Sequence, residues 1–261
     1  MNRTQIHWRE NSGFPSHIAM IEAVPGVGNV GKLVIDGLKE KYSSTCLGWI
    51  IHPDFPPHAS LGSDGLLSPP GMEIYSVVLD SGDKIITISG SMQPITAAGQ
   101  FEVSEAILKL AVEEEVPKLL VLAGLSAEVE DRDIHVICSQ TKVREKLESD
   151  DIIVSKQKPD GGMIGISGMV LSLSKIHEIP AIGVVADTIG TSADFLAAER
   201  LSKWIEDSFS IPLNLDLDTT EKTAKKLLRQ LHFQIFAFRI EVLLIIVKKK
   251  KIILVQKIAY I

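Results

Sequence analysis

His17-Ile18-Ala19-Met20-Ile21-Glu22-Ala23-Val24-Pro25-Gly26-Val27-Gly28-Asn29-Val30-Gly31-Lys32-Leu33-Val34 is the stretch whose reading decides the fold. Its first eight residues are almost uniformly apolar, as expected of a strand covered on both faces. From Asn29 to Tyr42 the apolar positions Val30, Leu33, Val34 and Leu38 recur at helical spacing. Between the two lies a turn in which Gly26, Gly28 and Gly31 match G-x-G-x-x-G. A strand feeding a helix through such a turn is the context of a dinucleotide-binding fingerprint, in which bare backbone approaches a pyrophosphate at a helix N-terminus. That reading also needs an acid about 20 residues on to hold a ribose. The nearest candidate, Asp54, stands 28 residues past Gly26, inside Pro53-Asp54-Phe55-Pro56-Pro57. The alternative is that the three glycines only let strand and helix pack closely.

Outward from this opening, helical and extended patterns alternate. Thr45 to His52 is an apolar run, and Pro53 to Gly71 is broken by Pro and Gly into a candidate interaction loop. Glu73 to Asp80 and Lys84 to Ser89 flank Ser81-Gly82-Asp83 as a hairpin. A helix follows over Ala97 to Glu115, closed by Pro117 ahead of a strand over Lys118 to Ala123. Further helices are expected over Thr141 to Leu147, Ile166 to Ile176 and Ala193 to Phe209, with a strand over Ala181 to Ala186. Asp218 and Glu221 make a capping-box-like start for a polar helix to about Leu231. The alternation implies an α/β protein with a largely parallel sheet and helices on both faces, a Rossmann-like three-layer arrangement. It is read as one domain over residues 1–231 with an apolar, basic tail over 232–261.

Charge separates body from tail. Residues 232–261 hold six of the 27 Lys/Arg and one of the 33 acids, which leaves the rest of the chain at −11 and the tail at +5. A body of that sign is a poor match for a phosphate backbone, so nucleic acid is not expected as a partner. Cys46 and Cys138 form no C-x-x-C, and the seven histidines form no H-E-x-x-H, so neither a disulfide framework nor a metal is expected. Met1 to Asn11 lacks the apolar core of a signal peptide, which makes the cytoplasm the default location. Ile235 to Val247 is 13 residues long and interrupted by Arg239 and Glu241, short of the ~20 that span a bilayer.

No catalytic constellation emerges. Gly165-Ile166-Ser167-Gly168 lacks the spacing of a G-x-S-x-G elbow, so Ser167 reads as a cap or packing residue. Glu128-Val129-Glu130-Asp131-Arg132-Asp133 reads as a solvated loop. Asn214, Asp216 and Asp218 alternate like a calcium loop, but Thr219 and Lys225 stand where that loop needs Gly and Glu. The chain ends in Ala259-Tyr260-Ile261, an aromatic ring beside a free carboxylate that a partner can capture.

Several segments, taken in order, resemble the proteasome assembly chaperone family and its archaeal members in particular. They are Val24 to Lys32, Pro53 to Pro57, Ser89-Gly90-Ser91-Met92-Gln93-Pro94, Gly99 to Ile107, and Ile164 to Leu171 with Ile179-Pro180-Ala181-Ile182. The likeness covers about residues 15 to 231. It implies a non-catalytic, oligomeric α/β chaperone, without cofactor, whose partners are proteasome α subunits or the α ring. Members of that family can end in a hydrophobic-Tyr-any tripeptide that enters pockets between α-ring subunits, and Ala259, Tyr260 and Ile261 fit it residue by residue. A nucleotide-binding enzyme built on Gly26, Gly28, Gly31 and Asp54 is the competing reading.

Overall fold

The computed structural model describes residues 3–10, 13–62, 65–190 and 193–217. The elements in chain order are β1 (Gln5–Trp8), β2 (Ala19–Ala23), a single 3-10 turn (Val27–Asn29), α1 (Val30–Lys41), β3 (Ser43–Ile51), β4 (Ser60–Leu61), β5 (Leu67–Ser68), β6 (Met72–Val78) and β7 (Lys84–Gly90). There follow α2 (Ala97–Glu113), β8 (Leu119–Ser126), β9 (Ile134–Cys138), α3 (Thr141–Ser149), α4 (Gly165–Leu173), β10 (Ala181–Thr188) and α5 (Phe195–Phe209).

Eight strands make one sheet in the order β1-β3-β6-β7-β2-β8-β10-β9, and β4 and β5 pair separately. Neighbours are parallel from β7 through β2 and β8 to β10. On both flanks the pairing turns antiparallel, at β1-β3, β3-β6 and β6-β7 on one side and β10-β9 on the other. The expected parallel arrangement is thus the centre of a mixed sheet. The flanks differ because β6 and β7 are joined by a tight turn, which permits only antiparallel pairing.

Alternation along the central strand sorts side chains into two cores. Ala19, Ile21 and Ala23 of β2 face α1, α3 and α5, packing with Val34, Ile35, Leu38, Val143 and Leu201. Met20 and Val24 face the opposite layer with Val103 and Ile107 of α2 and Ile166 and Val170 of α4. All five residues of β2 are buried, the reason its sequence is apolar apart from Glu22. The three-layer reading is therefore the observed one.

α1 seats against the sheet because Gly31 has no side chain. A Cβ there would stand 2.5 Å from the Leu122 carbonyl oxygen of β8. After α5, Ile211, Leu213, Leu215 and Leu217 are buried while Asn214 and Asp216 are exposed. The Tyr42 hydroxyl pins this segment by donating to the Leu213 carbonyl at 2.9 Å. Its polar alternation is thus the outer side of a leucine-bearing strap.

The expected hairpin is β6-β7, running from Met72↔Gly90 to Val78↔Lys84. Pro53 to Gly71, expected to be irregular, also contains the two-residue pair β4-β5. β1 and β9 were not anticipated, being only four and five residues long. Residues 128–133 are exposed between β8 and β9, as read from their charges. The described residues fall within one compact unit, residues 1–217. The expected boundary at 231, the polar helix after Asp218 and the tail lie outside the described residues.

Candidate functional site

From β2 the chain leaves through α1 toward β3, and from β8 it leaves toward β9 and β10, on opposite sides of the sheet. The divergence between β2 and β8 is a topological switch point, where open α/β sheets hold ligands at the carboxyl ends of their strands. A cavity of about 570 Å³ opens there. Its walls are the turn Val24–Val27, the start of α1, the far half of β8 from Leu122 to Leu125, and the loop Pro159–Ile164 with Gly165 and Ser167 of α4.

One side chain ties these walls together. Gln93 donates from Nε2 to the Pro25 carbonyl at 2.8 Å and accepts at Oε1 from the Ile166 N–H at 3.1 Å. It therefore links the glycine turn to the start of α4 and satisfies one of that helix's orphan donors. The turn itself is closed by Gly26 N–H donating to Asn29 Oδ1 and Asn29 N–H donating to the Gly26 carbonyl. Gly28 has φ +62°, with Thr188 so placed that a Cβ would lie 2.5 Å from its Oγ1. The Gly28 carbonyl accepts from the Asp194 N–H at 2.9 Å. Asp194 in turn caps α5 through Ala197 N–H and accepts from the Thr188 hydroxyl at 2.7 Å.

Bonded to the cavity-lining Ser167 is a buried acid, Glu22, that is not itself in the lining. Glu22 is wholly buried on the α4 side of β2, where Ser167 Oγ donates to its Oε2 at 3.3 Å. Its Oε1 has no partner among the described residues. Burial pushes the Glu22 carboxyl up to about 8, against the pull of the Ser167 hydrogen bond in the other direction. Burial thus favours its protonated, uncharged form. The sequence signal for it is a lone Glu at an inward position of an apolar strand, a placement that side chains of this type almost never take without a reason.

The residues of the nucleotide reading separate. Gly26 and Gly31 line the cavity, whereas Gly28 packs on Thr188 and Asp54 lies at the start of α2. There Asp54 accepts from the Thr96 hydroxyl and pairs with Arg3. The Thr96 hydrogen bond, then the Arg3 charge, hold its carboxyl below the ordinary range. Arg3 also binds Glu102, whose carboxyl is lowered to about 2 by the Arg3 backbone N–H and guanidinium, and His52 lies against the same acid at 3.2 Å. This cluster ties residues before β1 to α2. Asp54 is engaged there and is not among the cavity walls.

Among the described residues, Ser167 bonds to a carboxyl and the cavity walls carry no Lys, Arg or His. Among the described residues no group of three or more His, Cys, Asp or Glu is arranged to hold a metal ion. A second buried pair, His135 Nε2 with Asp187 Oδ1 at 2.9 Å, joins β9 to β10, while the other Asp187 oxygen accepts from Asp133 N–H. Its work is to anchor the loop before β9. No helix among the described residues is long and apolar enough to cross a membrane. Ala259, Tyr260 and Ile261 lie outside the described residues.

A switch-point cleft walled by a glycine turn, in a mixed sheet covered by helices on both faces, defines a three-layer α/β protein. Residues 20–235 match the PAC2 family, and the chain belongs to that family. It is 25% identical over 208 residues, 79% of this chain and 78% of the relative, to the uncharacterized protein MJ1210 of Methanocaldococcus jannaschii. Its fold matches Pyrococcus furiosus PbaA, an archaeal homolog of proteasome-assembly chaperone, with TM-score 0.70 and 20% identity over 92% of this chain and 96% of that one. Pyrococcus furiosus PbaB, an archaeal proteasome activator, matches with TM-score 0.67 and 18% identity over 89% of this chain and all of the other.

Proposed function

We propose that this chain is a non-catalytic chaperone of archaeal type that assists assembly of the proteasome core particle by binding α subunits or the α ring. In this reading it works as a cytoplasmic homo-oligomer and docks through Ala259, Tyr260 and Ile261. Membership of the PAC2 family across residues 20–235 carries the reading. The fold shared with PbaA over nearly the whole chain supports it. A nucleotide-binding enzyme would need Asp54 at the glycine turn, and Asp54 is held by Thr96 and Arg3 instead.

The docking role is tested by deleting Tyr260 and Ile261 and measuring co-sedimentation with assembled α rings. A tyrosine and a carboxylate seated in a partner's pocket form the kind of anchor that dominates binding energy, so affinity is expected to fall about tenfold or more. Unchanged binding overturns the role of the tripeptide.

A further inference from the structure

Two apolar features of this chain face water, and their chemistry matches. The first is the hairpin β4-β5, which pairs apart from the main sheet. Leu61 and Leu67 stand directly opposite each other across it and therefore share a face, where they are 71% and 68% exposed. A two-stranded pair has no core of its own and is marginal in water, so a leucine face on one is surface that needs a cover. The hairpin's base is tied to the body. The Ser60 hydroxyl donates to the Ser91 hydroxyl at 3.2 Å, and the Ser68 hydroxyl donates to Glu73 Oε1 at 3.0 Å. The leucine face is thus presented from an anchored base.

The second is the cavity at the switch point. Its 570 Å³ or so is many times what a bound water needs and lies in the range of pockets that hold a guest. Val24, Val27, Leu122, Met163 and Ile164 give it apolar walls, and among the described residues the walls carry no charged side chain. Ile164 is 95% exposed and Val27 is also open to water, which puts apolar surface at the rim. The described hairpin residues, Ser60 to Gly62 and Gly65 to Ser68, are likewise uncharged. A charged guest would lose its hydration here with no opposite charge to offset it, while a leucine face gains by leaving water. No described hairpin residue lines the cavity of its own chain, and the exposure of Leu61 and Leu67 shows them unseated. A second copy brings the same socket. We propose that copies of this chain associate head to tail, the Leu61–Leu67 face of one seated in the switch-point cavity of the next. Because the two surfaces differ, each copy uses both, and the contact forms a ring when its rotation closes. This rests on the homo-oligomeric part of the proposed function and supplies its interface, while binding of α subunits stands apart from it.

Sedimentation velocity of the full-length protein alone, at concentrations up to about 200 μM, is expected to show a discrete oligomer. Leu67→Lys and Ile164→Lys lie at exposed positions outside both cores, and each sets an ammonium into an uncharged contact. Each is expected to weaken association about tenfold or more. Circular dichroism matching that of the unsubstituted protein establishes that the variants fold; Leu61→Lys and Val27→Lys replace either one that does not. The two variants are defective on opposite surfaces, so their equimolar mixture retains one intact leucine face and one intact socket. It is expected to give a complex of two chains, one of each. A protein that is monomeric throughout overturns this interface together with the homo-oligomer. An oligomer that either variant leaves intact overturns the interface alone, and a mixture that stays monomeric overturns the head-to-tail seating. A monomer that binds α subunits and loses them with Leu67→Lys gives the leucine face to a different partner and overturns the proposal as well.

Discussion

Relative to the wild-type protein, Glu22→Gln is expected to gain about 3 kcal/mol of stability as pH rises from 4.5 to 7, on top of a pH-independent cost for burying its amide N–H groups where Oε1 has no partner among the described residues. An ordinary glutamate ionises near 4.5, and folding raises Glu22 to about 8. Below 4.5 the carboxyl is protonated in both states and contributes no pH dependence. Between 4.5 and 8 the unfolded chain has lost the proton and the folded chain keeps it, so stability falls as pH rises, by about 1.4 kcal/mol per unit. Above 8 the loss, about 5 kcal/mol in all, is complete. Glutamine retains an oxygen to accept from Ser167 and cannot ionise. Urea denaturation of both proteins at pH 4.5, 7 and 8.5 should show the gap opening with pH. Two curves that stay parallel across that range would contradict the burial assigned to Glu22.

The second large effect separates two glycines of one turn. Gly31→Ala is expected to destabilise by about 3 kcal/mol or more, because the new Cβ stands 2.5 Å from the Leu122 oxygen and 2.8 Å from its carbonyl carbon. Both are main-chain atoms of a central strand and cannot swing aside. Gly26→Ala should change stability by less than about 0.5 kcal/mol, since the nearest atom to its Cβ is 3.9 Å away and its φ of −157° is extended backbone. A fingerprint kept only for a ligand would show no such asymmetry in stability. Thermal unfolding of the two variants without added ligand reads it directly, and equal melting temperatures would refute the packing role of Gly31.

That asymmetry also shows what the sequence could convey. Strand, turn and helix were legible in His17 to Val34 because an apolar run and a 3.6-residue period are local signals. The same holds for β6-β7 around Ser81-Gly82-Asp83, and for α2 and α5. β1 and β9 were illegible because four or five residues in polar surroundings carry too short a period, and each becomes a strand only by pairing with β3 or β10. The antiparallel pairings of β1 with β3 and of β9 with β10 share that cause.

The site was harder. Gly26 and Gly31 were visible as a motif, yet the position of Asp54 followed from Thr96 and Arg3, 42 and 51 residues away. Glu22 shows in the sequence as a lone acid in an apolar strand, but its partner Ser167, 145 residues later, does not. Gln93 gives no signal in its own neighbourhood, because both of its partners are brought by tertiary structure. Long-range juxtaposition of this kind has no period for a sequence to display.

The chain belongs to the PAC2 family, and the role we propose for it is proteasome assembly by gripping α subunits. The most direct measurement is sedimentation velocity of the full-length protein mixed with purified proteasome α subunits from the same organism, before β subunits are added. The account predicts a discrete faster-sedimenting complex containing both proteins. Two independent boundaries, each at the position of its protein alone, would contradict it.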